Sequence, residues 1–222
     1  MKHITFYLDF ISPYAYLAFE RLPDVLMGDS YSVTYKPILF AALLKHHGQL
    51  GPAEIAPKRD WTYRQVQWLA HSQGVALQLP VAHPFNPLAL LRLAVACGVD
   101  ERGVAEDGVG SPSRFVVETL FHHVWQGGAD AADAVRLAAV AAKLAPALDA
   151  NGDGVKAQLR ANTEEAIALG VFGVPTFQVD DKLFWGLDAL PMLRDYLSGG
   201  AWFDGPAWRN ASQLPVGATR HN

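Results

Sequence analysis

The chain has 222 residues, which suits one domain or one domain that carries a large insertion. Its formal net charge is −4 and its lysines and arginines are scattered, so neither nucleic acid nor a membrane surface is indicated as a partner. The apolar runs are too short to cross a bilayer, no signal-peptide pattern follows Met1, and the one cysteine excludes an internal disulfide, so we expect a cytoplasmic protein.

The start of the chain predicts a β-α-β unit. Residues 3–10 (HITFYLDF) alternate and are rich in β-branched and aromatic types, which is typical of a strand. Residues 13–27 predict a helix, and residues 31–39 predict a second strand. Strands connected in this way are parallel. Ser12, followed by a proline, lies at the joint between the first strand and the helix, where a serine is a common N-cap.

The middle of the chain predicts only helices. Six segments have apolar residues at helical spacing and are bounded by Gly, Pro or Asn: 39–48, 59–75, 86–99, 112–128, 131–145 and 154–171. Residues 149–154 (DANGDG) resemble half of a calcium loop, but the twelfth position is Arg160 instead of a carboxylate. We interpret this segment as a turn between helices. No HExxH motif or Cys/His cluster is present, so no metal site is predicted.

The end of the chain predicts a β-hairpin over residues 176–186 and a final helix over 187–200. Together with the opening unit, the hairpin gives an α/β fold of thioredoxin-like type: a mixed four-stranded sheet with a large all-helical insert. We assign residues 1–38 and 171–222 to the thioredoxin-like domain and residues 39–170 to the insert. The aperiodic tail after Ala201 carries no prediction.

Two motifs carry a resemblance to a known family. The opening FYLDFISPYAYLA and the closing VFGVPTFQVDDKLFWGLDALPML are similar to those of the 2-hydroxychromene-2-carboxylate isomerases and the kappa-class glutathione transferases, in the DsbA-like branch of the thioredoxin superfamily. The resemblance implies that Ser12 takes the place of the first cysteine of disulfide oxidoreductases. It also implies a cis Val174-Pro175 bond, whereas the residues alone favour a plain turn. The family usually has a Lys and an Asn near the start of the insert. Here Lys45 corresponds approximately and the Asn is absent.

Glutathione is the cofactor that this resemblance implies. A hydroxyl at a helix N-terminus is suited to an anion, and without a neighbouring base it is a poor nucleophile. Ser12 is therefore expected to be the catalytic residue by donating a hydrogen bond to the glutathione thiolate. The backbone at Val174, next to Pro175, would pair with the cysteinyl part of glutathione. The γ-glutamyl end would be held by Trp185, Gly186, Leu187 and Asp188, although Asp188 equally fits the N-cap of the final helix.

The family reaction is a cis–trans isomerisation in aromatic catabolism, as in naphthalene degradation. The thiolate adds to the conjugated carbon of the ring-opened form of 2-hydroxychromene-2-carboxylate and turns a double bond into a single one. Bond rotation and expulsion of glutathione then leave trans-o-hydroxybenzylidenepyruvate. We expect this small aromatic carboxylate, or a close analogue, to be the partner. Its polar groups have four candidate ligands in the insert: Lys45, His83, Asn86 and Arg92. A homodimer is also expected from the resemblance.

Two other functions remain open on the sequence. A kappa-class glutathione transferase or peroxidase would have the same glutathione contacts, and a non-catalytic glutathione-binding module is compatible with the same fold. A thiol–disulfide oxidoreductase is excluded because the segment SPYA, residues 12–15, contains no cysteine.

Overall fold

The structure is a computed structural model that describes residues 1–98 and 111–218. Its sheet has four strands: β1 (Lys2–Leu8), β2 (Tyr31–Pro37), β3 (Thr176–Val179) and β4 (Lys182–Trp185). The order across the sheet is β2-β1-β3-β4. β1 and β2 are parallel, whereas β3 is antiparallel to both β1 and β4. The mixed four-stranded sheet predicted from the sequence is therefore confirmed.

The described residues form nine α-helices. They are α1 (Pro13–Val25), α2 (Phe40–His46), α3 (Ala56–Gln73), α4 (Leu88–Ala96), α5 (Arg114–Trp125), α6 (Ala134–Leu144), α7 (Asp153–Ala168), α8 (Leu190–Leu197) and α9 (Pro206–Ala211). All six helices predicted in the middle of the chain are present, and α3 begins three residues earlier than predicted. Val99, the predicted last residue of the α4 segment, lies outside the described residues. None of the helices in 1–98 and 111–218 is both long and apolar enough to cross a bilayer.

The division into two domains stays a prediction. All four strands come from 1–38 and 171–222, and α2 to α7 come from 39–170, with residues 99–110 and 219–222 outside the described part. However, one buried cluster includes side chains from both assigned domains. Phe19 of α1 and Phe121 of α5 belong to it, with ring centroids 5.4 Å apart. The two parts of the chain therefore share a core.

The core fixes the turn between β1 and α1. Phe6, in the central strand, lies opposite Tyr35 of β2 and Phe177 of β3. Trp125, at the end of α5, is fully buried and donates its Nε1–H to Phe10 O at 3.0 Å. This bond ties α5 to the residues that immediately precede Ser12.

Two further segments have a defined structure. Asn151 N donates to Asp149 Oδ1 at 2.9 Å, so DANGDG forms a local turn that leads into α7 at Asp153, as predicted. The tail, for which no structure was predicted, packs an aromatic cluster against β4. In it Phe203 lies 5.3 Å from Trp208 and 6.0 Å from Phe184, measured between ring centroids.

Candidate functional site

Ser12 is the N-cap of α1, as predicted. Its backbone is extended, and its Oγ accepts a hydrogen bond from Ala15 N at 3.2 Å. The same Oγ donates to Val174 O at 3.3 Å, so the hydroxyl also contacts the loop before β3. The next residue is a proline, which has no N–H, and among the described residues Tyr14 N has no acceptor. The positive end of α1 therefore offers one hydroxyl and one open amide to an anion.

The loop opposite Ser12 contains a cis Val174-Pro175 bond, which confirms the prediction for this pair. Two hydrogen bonds hold the loop: Gly186 N donates to Pro175 O at 2.9 Å, and Thr176 Oγ1 donates to Gly173 O at 2.7 Å. Within the described part of the chain, Val174 N has no acceptor. Val174 therefore presents an open amide and a weakly bonded carbonyl, as the edge of a sheet does.

A pocket of about 650 Å³ lies between this loop, α1 and α3; we call it the Asp188 pocket. It contains all of the residues predicted to hold the γ-glutamyl and cysteinyl parts of glutathione, apart from Ser12: Val174, Pro175, Trp185, Gly186, Leu187 and Asp188. The Trp185 ring is half exposed and packs on Phe172 with centroids 4.8 Å apart. A β-carbon at Gly173 would lie 2.5 Å from Trp185 Nε1, so this glycine leaves the space that the indole occupies.

The Asp188 carboxylate has no hydrogen-bond donor among the described residues. Helix α8 has Ala189 as its N-cap and no side-chain cap, so the structure does not give Asp188 the capping role that the sequence left open. Its Oδ1 lies directly over Gly186, where a β-carbon would overlap it. Gly186 also has φ +102°, a left-handed conformation that favours glycine. Gly186 thus permits the Asp188 carboxylate to lie where it lines the pocket.

A second pocket, of about 470 Å³, lies on the other side of Val174 and contains Ser12; we call it the Ser12 pocket. It shares Tyr14, Pro52, Thr62 and Val174 with the Asp188 pocket, so the two form one cleft. Most of its remaining walls are apolar: Leu39, Phe40, Leu44, Pro84, Phe85 and Leu88. An aromatic body therefore fits this side of the cleft, next to the Ser12 hydroxyl.

His83 lines the Ser12 pocket, but both of its ring nitrogens already have partners. Its Nε2 lies 2.8 Å from Ile11 O, which can only accept, so Nε2 carries the proton. Its Nδ1 lies 2.8 Å from the Tyr63 hydroxyl. Burial lowers the pKa of His83, and the bond to Ile11 O offsets part of that effect. A neutral His83 thus holds the backbone immediately before Ser12.

The other predicted substrate ligands fall into two pockets. Asn86 lines the Ser12 pocket, where its Oδ1 accepts from Leu88 N at 3.0 Å at the start of α4. Lys45 and Arg92 line a different pocket, between α2, α4 and α7. The structure therefore brings Ser12, His83 and Asn86 together and does not bring Lys45 and Arg92 to them.

Asp9 is a fully buried carboxyl beneath the Ser12 pocket. Its oxygens accept from Ile11 N at 3.1 Å and from Phe40 N at 2.9 Å, which joins the turn before Ser12 to the start of α2. Burial raises the pKa of Asp9 from 3.8 to about 7, against the backbone hydrogen bonds, which lower it. Asp9 thus connects the sheet to the helices that close the pocket.

The residues of this cleft lie within a part of the chain that matches a known family. Residues 3–198 match the model of the DSBA-like thioredoxin domain. The chain belongs to the DSBA-like thioredoxin family. A solved structure of 2-hydroxychromene-2-carboxylate isomerase superposes with a TM-score of 0.74 at 24% identity, over 96% of this chain and 100% of that one. The thioredoxin-like fold predicted from the sequence is therefore confirmed.

Two relatives connect the chain to particular branches of this DSBA-like family. The 2-hydroxychromene-2-carboxylate isomerase of Sphingobium xenophagum is 30% identical over 203 residues, which cover 88% of this chain and 98% of the relative. Glutathione S-transferase kappa 2 of Caenorhabditis elegans is 26% identical over 215 residues, which cover 89% and 92%. The predicted kinship with these isomerases and kappa-class transferases is confirmed.

Sequence reasoning missed several residues of the cleft in this DSBA-like protein. Tyr14 lines both pockets and donates its hydroxyl to Gln65 Oε1 of α3 at 2.7 Å. Its place two residues after Ser12 was the one available signal. For Asp9 the signal was a carboxylate among apolar residues at the end of the predicted first strand. Tyr63 and Gln65 lie in α3, and no local sequence pattern shows which face of this helix turns toward the sheet.

The titration of Asp9 predicts a pH dependence of stability. The unfolded chain loses this proton near pH 3.8, whereas the folded protein keeps it until about pH 7. The stabilisation is therefore fully present below about pH 4, and it is lost as the pH rises to about 7, by at most about 1.4 kcal/mol per pH unit. Urea unfolding of the wild type and Asp9→Asn between pH 4.5 and 7.5 measures the difference in slope.

Asp133→Asn is the control for this measurement. Asp133 Oδ1 also accepts a backbone N–H, from Arg136 at the start of α6, but Asp133 is only half-buried. We expect the unfolding free energy of the wild type to fall toward neutral pH relative to that of Asp9→Asn. Parallel curves of unfolding free energy against pH for the wild type and Asp9→Asn would contradict the role of burial at Asp9.

Proposed function

We propose that the protein is a glutathione-dependent cis–trans isomerase that converts 2-hydroxychromene-2-carboxylate, or a close aromatic analogue, to trans-o-hydroxybenzylidenepyruvate. The observation that carries the proposal is the junction of the two pockets. There the Ser12 hydroxyl, which lines the apolar pocket, donates to the carbonyl of Val174. Val174, whose amide has no acceptor among the described residues, also lines the pocket that contains the Asp188 carboxylate. The similarity to the isomerase of Sphingobium xenophagum supports the same reaction.

The residues of the Asp188 pocket fit glutathione. Val174 N–H and C=O offer a peptide-like ligand the two bonds of an added strand. The unpaired Asp188 carboxylate suits the α-ammonium group of the γ-glutamyl residue, because it has no donor of its own in the described residues. Trp185 provides an apolar surface beside that position. When bound, glutathione supplies a thiolate that adds reversibly to a conjugated carbon and so permits rotation about a former double bond.

Ser12 controls the charge on that sulfur. The Ser12 O–H and the open Tyr14 N–H both lie at the positive end of α1, so they favour an anion over a neutral thiol. Ser12 acts as a hydrogen-bond donor and not as a nucleophile, because no side-chain base among the described residues accepts from its hydroxyl. The Asp9 oxygens and the His83 ring nitrogens, which line the same pocket, have other partners. A stabilised thiolate is sufficient for the proposed reaction, which changes no oxidation state.

The Ser12 pocket would hold the aromatic substrate. Its apolar walls exclude water from the conjugated system, and Asn86 offers an amide at its edge. His83 contributes mainly by holding Ile11 O, since a substrate group would have to displace that carbonyl or Tyr63. The same proposal includes a cytoplasmic homodimer that acts in the catabolism of aromatic hydrocarbons, as the resemblance implies.

A kappa-class transferase is the second candidate. The relative from Caenorhabditis elegans supports it, and the residues proposed to hold glutathione would be the same. The two functions differ in the fate of the sulfur, because a transferase leaves a covalent adduct and an isomerase releases glutathione unchanged. The product therefore distinguishes them.

The test is turnover of 2-hydroxychromene-2-carboxylate with and without added glutathione, followed by mass spectrometry of the products. We expect isomerisation only when glutathione is present, with no glutathione consumed. An adduct as the main product would favour the transferase. Glutathione binding without turnover would favour a binding module, and isomerisation that is independent of glutathione would contradict the proposal.

The position of Asp188 gives a second prediction. Gly186→Ala would push the Asp188 carboxylate away, so a charge-assisted bond worth about 1.5–3 kcal/mol is lost. Since 1.4 kcal/mol is tenfold in affinity, we expect glutathione to bind at least about tenfold more weakly in calorimetric titration.

Gly199→Ala is the matched control for this substitution. Gly199 also has a left-handed φ, +84°, but a β-carbon there meets no atom within 4 Å. The control carries a similar backbone cost without touching the pocket. Equal glutathione affinity in the Gly186 and Gly199 variants would show that Asp188 does not hold the ligand.

A further inference from the structure

A third pocket, of about 660 Å³, lies between α2, α4 and α7; we call it the basic pocket. It shares two walls, Leu39 and Leu88, with the Ser12 pocket and has no other lining residue in common with it. Its size is that of a site for a small organic molecule. Nothing in the function proposed above uses this space.

Positive charge is concentrated in this pocket. Four permanent cations line it, together with His46: Lys45, Arg92, Lys156 and Arg160. Among the described residues that line the pocket, Glu164 is the one acidic side chain, and Lys156 has a surface partner in Asp153 at 3.3 Å. The whole chain carries a net charge of −4, so the charge of this pocket is opposite in sign to the net charge of the protein. Such a cluster attracts anions.

Arg92 adds an observation that points to a ligand. Its side chain is half-buried, and within residues 1–98 and 111–218 its Nε is buried without a hydrogen-bond partner. An unsatisfied donor next to other cations is costly unless an acceptor is supplied.

The pocket is also polar at one end and apolar at the other. On α4, Arg92 lies four residues beyond Leu88, which is about 6 Å along the helix. Lys45 of α2 lies six residues beyond Leu39, the N-cap residue of that helix, which is about 9 Å. The shared leucines therefore mark an apolar end, and the cations lie away from it. Ala42 and Ile167 add to the apolar lining.

We propose that the basic pocket binds a small organic anion, a carboxylate carried on an apolar body. The carboxylate would pair with Arg92, Arg160 and Lys45, and the apolar body would lie against Leu39 and Leu88. Inorganic phosphate matches the charge but leaves the apolar end unfilled. This proposal does not depend on the isomerase activity, because it concerns a separate pocket and is tested by binding.

The test uses trans-cinnamate as the probe, in calorimetric titration of the full chain. Cinnamyl alcohol has the same body without the charge, and inorganic phosphate has the charge without the body. We expect cinnamate to bind at least tenfold more tightly than either. Because cinnamate also fits the apolar Ser12 pocket, variants are needed to assign the binding.

Arg160→Glu is the variant that assigns it, with Arg209→Glu as the matched control. Both arginines are exposed on helices, but Arg209 lies on α9, which does not line the pocket. We expect Arg160→Glu to weaken cinnamate binding at least tenfold and Arg209→Glu to change it less than twofold. Glutathione affinity, measured on both variants, should match the wild type, which shows that both are folded and that the Asp188 pocket is intact.

Three outcomes would overturn the proposal. Unchanged cinnamate affinity in Arg160→Glu would place the probe elsewhere. If cinnamyl alcohol bound as tightly as cinnamate, the charge would not be needed for binding. If phosphate bound as tightly as cinnamate, the apolar body would not be needed. A change of oligomeric state in Arg160→Glu, measured by sedimentation, would make this pocket an interface between copies of the chain.

Discussion

The Ser12 hydroxyl has a single hydrogen, and the chemistry proposed for this cleft depends on where that hydrogen points. It is donated to Val174 O across 3.3 Å, longer than a usual O–H···O bond, so the bond is weak. The oxygen meanwhile accepts from Ala15 N, which fixes its position at the start of α1. An anion at this helix terminus is a better acceptor than a carbonyl, because charge-assisted hydrogen bonds are about twice as strong as neutral ones. Ser12 can therefore exchange Val174 O for a thiolate with a net gain.

That exchange leaves Val174 O without a donor, and a peptide-like ligand supplies one. A backbone amide laid against Val174 would donate to its carbonyl, while the open Val174 N–H would bond to the carbonyl of the ligand. One molecule that carries both a thiol and peptide groups thus satisfies every group that the exchange affects. The geometry depends on a rigid turn before Ser12. Asp9 accepts from Ile11 N, and His83 donates to Ile11 O, so both backbone groups of Ile11 have side-chain partners. One of these partners is a neighbour in the sequence, and the other lies 72 residues further along the chain.

Local signals were sufficient for the elements and for the two motifs at the ends of the chain. The alternation in β1 and the Ser12 cap each depend on a few neighbouring residues. The cis form of the Val174-Pro175 bond, by contrast, was implied by the family resemblance and not by the local sequence. What the sequence could not supply was the register of the helices. Lys45 and Arg92 carry suitable charges, but the faces of α2 and α4 turn them into the basic pocket, away from Ser12. His83 was predicted as a ligand, yet its nitrogens are used by partners that only the tertiary structure brings near. The aromatic tail has no period, and its order comes from packing against β4.

The most direct test is the pKa of the thiol of bound glutathione, followed by thiolate absorbance against pH in the wild type, Ser12→Ala and Ser113→Ala. Ser113 caps α5 through Val116 N, so its loss reproduces the stability cost of a missing cap, about 1 kcal/mol, at a position outside the cleft. The lost charge-assisted bond is worth about 1.5–3 kcal/mol, and one pKa unit is about 1.4 kcal/mol. We therefore expect Ser12→Ala to bind glutathione with a thiol pKa about one to two units higher, and Ser113→Ala to titrate as the wild type does. Coincident titration curves for all three proteins would mean that Ser12 is a helix cap and nothing more.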